Sequence, residues 1–482
     1  MNTGIKTRVV KNTLFVLLAQ ITNILLQMLY LIVTARYLGN VQFGKLSFAM
    51  VFTQMFLAVT DFGLFNYVVR EISKKKEVSS LYFVNLFVLK GFLGLCVLFV
   101  IAFIVLILRY PPDTIITTCL FGIGLCLFSL NTTFHAVFQS HEKLKYIGIT
   151  MILYYCVNVL LSVIALSYGE NIITLAWINC LAGVVVFFVN LTILCKKFFA
   201  PKFVVDMKLC KEMLRCSLPI GIGAISWTFY NRIDVTLLSF MKGEISVGEY
   251  TAAYRLINTL AFIPSAYMSA VFPLMANQYK EKPTLLLQEL SKKSCRLLII
   301  ISMPIMVILS IYAPQIIVLI YGKIYINAVI PLRILSCTVL LLFVNHIFSY
   351  LLISTFRTSK EYSIYALLGL IVNIVCNCIF IPILDLNGAA ISTVITEALI
   401  LSLYYRSIKR KGFDISLLLL GAKPFLASFT IIWIIYSLRT VHMFLVIPVA
   451  FMAYVLLLLG IKGIRREEMV DIFKSLTFNK LL

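Results

Sequence analysis

Apolar stretches of helix length recur along the whole chain, about fourteen of them, separated by gaps of two alternating kinds. Every second gap gathers Lys and Arg: Lys6, Arg8 and Lys11, Arg70 to Lys76, Lys143 and Lys145, Lys196 to Arg215, Lys280 to Arg296, Arg357 and Lys360, Arg406 to Lys411, and the tail from Lys462. The intervening gaps are tight and nearly uncharged, as at Tyr168-Gly169-Glu170-Asn171 and Leu384-Asp385-Leu386-Asn387. Such alternation is what the positive-inside rule leaves on a multi-spanning membrane protein with both termini in the cytoplasm. Expected spans are 12–34, 44–69, 81–108, 115–139, 146–168, 171–195, 215–240, 249–277, 294–314, 328–353, 361–383, 387–406, 417–438 and 441–461. The fold class is therefore an all-α integral membrane protein of about fourteen helices. The first apolar run, Thr13 to Thr34, follows a basic start but is too long for a signal peptide core, and Ala35-Arg36-Tyr37 supplies no cleavage pattern, so it is read as a span.

Composition sharpens this reading. A chain of 482 residues that is 61% hydrophobic, with mean hydropathy +1.00, carries more apolar surface than one globular core buries. The formal charge of +22 raises nucleic-acid binding. Most of that charge, however, sits in the cytoplasmic gaps, where it orients helices, and no nucleic-acid partner is expected. The twelve Cys are scattered through apolar runs without metal or disulfide spacing, so no metal and no cofactor is expected.

Landmarks also repeat, at an interval of roughly 205 to 215 residues. Gly39 and Gly44 recur as Gly243 and Gly248, and Asn131 recurs as Asn345. Six spans is an even number, so both copies enter from the same side and the repeats are parallel, two six-helix lobes around a central cavity. The expected domains are 1–205, 206–411, and an appendix of two helices and a cytoplasmic tail at 412–482. The link from Lys196 to Arg215 is basic enough to lie on the anionic leaflet. In the tail, Ile464, Met469, Ile472, Phe473 and Leu476 are expected to form the apolar face of an interfacial helix.

Once topology accounts for the conspicuous charges, a few remain inside spans: Asp61, Lys90, Arg232, Asp234, Arg255, Arg333 and Glu397. A charge at mid-bilayer costs about 2.5 to 3.5 kcal/mol, so these should face the cavity or pair. Arg232 and Arg255 fall roughly 10 Å below the outer surface, Glu397 near the middle, and Asp61 and Lys90 in the inner half. One reading makes Asp234 and Arg255 a packing pair. Arg232 cannot reach Asp234 two residues away on one helix, which makes it the stronger candidate for a cation facing the cavity. There an anionic headgroup such as a pyrophosphate would meet it with charge-assisted hydrogen bonds. Arg255, Lys90 and Arg333 are further cavity candidates, although Lys90 and Arg333 also suit snorkelling. Asp61, Asp234 and Glu397 are candidates for ion or proton coupling. Asn131, His135 and Asn345 are polar candidates for the cavity wall, with interhelical hydrogen bonding as the plainer alternative. Gly39 to Leu46 resembles a phosphate-binding loop but lacks the metal-binding hydroxyl and the preceding strand, so no ATPase is inferred. Pro264, Pro273 and Pro304 are expected to kink spans eight and nine.

Several segments together resemble a family. Lys11-Asn12-Thr13, Ala35-Arg36-Tyr37-Leu38-Gly39 through Phe43-Gly44, Asp61-Phe62-Gly63 and Val69-Arg70-Glu71 look like the first two helices of bacterial polysaccharide transporters. These are the O-antigen-type flippases of the multidrug/oligosaccharidyl-lipid/polysaccharide exporter superfamily. Val247-Gly248-Glu249-Tyr250 with Ala253, Val271-Phe272-Pro273-Leu274, and Asn387-Gly388-Ala389-Ala390-Ile391 with Glu397 resemble its second-half landmarks. The resemblance implies a carrier, and no enzyme, that moves an undecaprenyl-pyrophosphate-linked oligosaccharide from the cytoplasmic to the periplasmic leaflet of the inner membrane. It implies alternating access, coupling to an ion gradient, and Arg36 and Glu397 as matched positions. The expected partners are that lipid-linked substrate, membrane lipids, and a polymerase and glycosyltransferases of the same pathway. A peptidoglycan lipid-precursor flippase, a drug/cation antiporter and a membrane polysaccharide polymerase are the alternatives. The last needs a sizeable extracytoplasmic loop for its acid/base groups, which the tight outer turns do not provide.

Overall fold

The computed structural model describes residues 3–276, 283–355 and 360–463. The expected tail helix and Arg357 lie outside them. Among the described residues every regular element is a helix, with no strand, as the apolar runs predict. Eleven helices among the described residues are long and apolar enough to cross a membrane. The first of these, Leu18–Lys74, holds two passages folded at Gly39, where φ is 72°. Two more passages are broken helices: α8 (Met207–Tyr230) with α9 (Ile233–Lys242), and α10 (Glu244–Leu260) with α11 (Phe262–Ala276). The count thus reaches the fourteen expected.

The breaks follow local chemistry. α1 (Thr3–Met55) turns at Gly39, and α9 ends at Gly243 with φ 83°, the left-handed backbone a side chain disfavours. α2 (Leu57–Asp61) stops at Phe62 and Gly63, both left-handed, before α3 (Leu64–Lys74) resumes. The eighth span is interrupted at Ala261, three residues before Pro264, and Pro304 lies inside α12 (Leu285–Ile311). Starts are capped as the sequence invites. Pro112 and Asp113 open α5 (Pro112–Ser140), and Asn171 accepts from the amides of Ile173 (3.0 Å) and Thr174 (3.3 Å) to open α7 (Ile172–Lys197).

By packing, the chain divides into two compact units, 1–251 with 366–385 and 252–365 with 386–482. In the first unit α5 lies between α4 (Ser79–Ile107) and α7, and α1 packs against α6 (Leu144–Ser167). An aromatic core joins Tyr67, Phe83, Phe134 and Phe138 to Phe198 and Phe199 beyond α7. In the second unit α14 (Val329–Thr355) packs against α12 and α16 (Leu386–Arg410). There the last two helices, α17 (Leu417–Ser437) and α18 (Met443–Gly460), share a core with α12 through Ala427, Ile431, Ala450 and Tyr454.

The repeated landmarks do the same work twice. In the first unit Asn131 donates its amide to the carbonyl of Gly183 at 3.1 Å; in the second, Asn345 donates to the carbonyl of Glu397 at 3.1 Å. Both pairs span 52 residues. The two glycine landmarks meet each other inside the first unit. A Cβ on Gly44 would lie 2.7 Å from the carbonyl carbon of Glu244 and 3.2 Å from the amide nitrogen of Gly248, and one on Gly248 would overlap the carbonyl oxygen of Asn40. Only glycine at both positions permits this reciprocal backbone approach.

Candidate functional site

Of the intramembrane charges of the first unit, Asp61, Arg232 and Asp234 stand beside helix breaks, and Lys90 reaches Asp61 from the interior of a helix. Asp61 is the last residue of α2, and the carbonyl of Phe62 beyond it sits against Gly221 of α8, where a Cβ would come within 2.7 Å. From α4, Lys90 is fully buried; its Nζ donates to Asp61 Oδ1 at 2.6 Å and to Thr132 Oγ1 on α5 at 2.7 Å. Its stem does not snorkel. Burial of an ammonium is costly unless paired and hydrogen-bonded, and both conditions are met here. Asp61 keeps 30% of its side chain exposed, so the pair has one open side.

Asp234 lies in the first turn of α9, 4% exposed. Its Oδ1 accepts from Asn377 Nδ2 at 2.7 Å and its Oδ2 from Tyr250 at 3.1 Å. Asn377 belongs to α15 (Lys360–Leu384), where Asn373 one turn earlier accepts from the same amide at 2.9 Å. Arg232 is half-buried in the junction between α8 and α9, with φ −135° and ψ −11°. Its position at a break, rather than mid-helix, was not legible from spacing. Arg36, in α1 just before Gly39, is exposed.

Asn131 and His135 are held between helices of the same unit. Asn131 also accepts from Asn190 Nδ2 at 2.9 Å, and His135 Nε2 sits 3.1 Å from Thr150 Oγ1 on α6. In the second unit Glu397 is 5% exposed and its Oε2 accepts from Asn345 Nδ2 at 2.7 Å. Arg255, on α10, is half-buried close to Tyr321; burial pushes that phenol up and the Arg255 charge draws it partly back. Arg333 is exposed and donates to the carbonyl of Ser310 at 3.2 Å, near the C-terminus of α12. Thr132, Tyr250, Asn373 and Asn377 complete these clusters; Tyr250 was noted only as a family landmark, and the other three escaped the sequence reading. Two Asn at i, i+4 in an apolar span were the available signal for the last pair.

Buried charges at helix breaks suit a carrier, since irregular backbone within the membrane is tolerated where protein or a water-filled cavity satisfies it. The comparisons agree. Residues 9–279 match the family model described as polysaccharide biosynthesis protein. The chain belongs to that family. Residues 219–379 of this polysaccharide biosynthesis family member also match the MatE model. It is 24% identical over 418 residues to the putative O-antigen transporter of Escherichia coli (strain K12), covering 84% of this chain and 97% of that protein. Over 408 residues it is 24% identical to the capsular polysaccharide biosynthesis protein CapF of Staphylococcus aureus, covering 83% and 99%. Among solved structures it is similar to the lipid II flippase MurJ in an inward closed conformation, with TM-score 0.77, 15% identity, and coverage of 97% of this chain and 99% of that one. The family member is thus a multi-pass membrane protein with an all-α fold similar to that structure.

Proposed function

We propose that the protein carries an undecaprenyl-pyrophosphate-linked oligosaccharide, an O-antigen or capsule repeat unit, from the cytoplasmic to the periplasmic leaflet of the inner membrane. Both termini lie in the cytoplasm. The observation that carries this reading is the match along most of the chain to an O-antigen transporter and to a capsule biosynthesis protein. Alternating access is the route, because a headgroup of charged pyrophosphate and sugars cannot cross hydrocarbon unaided. Arg232 and Arg255 are the proposed pyrophosphate contacts, with Arg36, Lys90 and Arg333 as further cations along the path. Asp61, Asp234 and Glu397 are the proposed coupling groups. Of these, Asp234 accepts hydrogen bonds from both Asn377 and Tyr250. A polymerase and glycosyltransferases of the same pathway are the proposed partners.

A second reading, flipping of a peptidoglycan lipid precursor, draws on the fold similarity to the lipid II flippase. Complementation separates the two. Surface polysaccharide should return in a strain lacking its own O-antigen or capsule carrier, and growth should not return in a strain depleted of its lipid II flippase. The opposite pattern overturns the proposal. Neighbouring genes for glycosyltransferases and a polymerase would add support.

A further inference from the structure

The segment that follows α7 is extended, yet it is pinned. Asn85 of α4, fully buried, donates Nδ2 to the carbonyl of Val204 at 3.2 Å and accepts the amide of Asp206 at 2.8 Å through Oδ1. The amide of Lys202 donates to Ser80 Oγ at 3.0 Å. At one end Phe198 and Phe199 are packed into the aromatic core of the first unit. At the other, Asp206 caps α8 by accepting from Lys208 and Leu209. Residues 200–206 therefore form a strap with a set conformation rather than a slack link.

What the strap turns outward is unusual for a connection in water. Phe203 is 77% exposed and Met207 75%, with Val204 and Val205 also exposed between them. Around this apolar tip stand the exposed cations Lys196, Lys197, Lys202, Lys208 and Lys211, against the acids Asp206 and Glu212. The 26 residues of α7 rise roughly 39 Å, so a strap at its basic end sits at headgroup depth. An apolar tip ringed by lysines at that depth matches acyl chains beneath an anionic headgroup layer.

We propose that the strap is a lipid-docking site for anionic phospholipid: Phe203, Val205 and Met207 enter the acyl boundary, Lys202 and Lys208 hold the phosphates above it, and Asn85 fixes the strap in this pose. The inference rests on the membrane topology and not on which substrate is carried. It concerns bulk leaflet lipid, recognised by its phosphate and net negative charge.

The test uses the full-length protein in nanodiscs, with Trp177, Trp227 and Trp433 replaced by Phe and Phe203→Trp as the reporter. Brominated phosphatidylcholine and brominated phosphatidylglycerol are compared as quenchers at equal content. Both should quench the reporter, and the phosphatidylglycerol should do so more strongly, since one lysine at the surface enriches anionic lipid by about fivefold. Lys202→Gln with Lys208→Gln should narrow the difference between the two lipids while leaving quenching by phosphatidylcholine. Asn85→Ser should weaken quenching by both. A reporter that bromolipids do not quench and aqueous iodide does, or equal quenching by the two lipids in the unaltered strap, overturns the proposal. Each outcome is independent of transport, so a failed flippase assay and a failed docking site remain distinguishable.

Discussion

Gly44→Ala tests the reciprocal glycine contact most directly. Its Cβ would come 2.7 Å from the carbonyl carbon of Glu244 and 3.2 Å from the amide nitrogen of Gly248. Carbon atoms at rest are about 3.5 to 4.0 Å apart, so the two backbones must separate by roughly 1 Å. Neither neighbour is a side chain able to rotate away. Overpacking of this kind costs about 1 to 3 kcal/mol, and about 2 kcal/mol charged to this arrangement alone favours any arrangement lacking the contact by roughly thirtyfold. On the topology proposed above, Gly44 stands on the side opposite the basic clusters and the contact is proposed as a closure on that side, so Gly44→Ala should open it there. Ser47, one turn further along α1, is fully buried and its hydroxyl has no hydrogen-bond partner among the described residues, which makes Ser47→Cys a mild reporter. With the twelve native Cys replaced, an impermeant maleimide added from outside should label this reporter much faster in Gly44→Ala, up to that thirtyfold limit. Gly421→Ala is the control, because nothing lies within 4 Å of its Cβ. Equal labelling in the two variants, with unfolding temperatures unchanged, would falsify the view that this contact is a closure.

Three further outcomes follow from the buried charges. Lys90→Met should lower stability by about 3 kcal/mol or more because it strands Asp61, and adding Asp61→Asn should recover most of that loss in detergent thermal unfolding; additive losses refute the pair. Arg232→Ala and Arg255→Ala should each abolish export of surface polysaccharide with protein levels unchanged, and normal export removes them from the pyrophosphate path. Glu397→Gln preserves an acceptor for Asn345, so expression should hold while any dependence of transport on the ion gradient disappears; gradient-dependent transport in this variant excludes Glu397 from coupling.

The helices were legible because burial in lipid writes itself as long apolar runs, and their order followed from where Lys and Arg stand. Lys90 and Asp61 fell at similar predicted depth, an available hint that they meet. The breaks at Phe62–Gly63 and around Arg232 were not legible, since a helix interruption inside the membrane depends on what a neighbouring helix supplies. Asn190 shows the same limit. In the sequence it belongs to an accidental glycosylation triplet, and in the fold it holds Asn131. Hydrogen bonds across helices impose no period on either helix, so Thr132 gave only its polarity as a sign, and Asn373 with Asn377 only their i, i+4 spacing.

The paired amide clamps of Asn131 and Asn345 reach their partners through a main-chain oxygen. A carbonyl accepts in the same way whatever residue owns it, so this bond places no demand on the side chain at that position, and in the second copy the Glu397 carboxylate accepts from the same amide in addition, at 2.7 Å. One copy holds Gly183 there and the other Glu397. Such a site is free to differ chemically while the architecture around it is kept, and the second half can carry a carboxylate in its interior without refolding. Divergence between the halves is thus expected first where backbone, and not side chain, bears the structural duty.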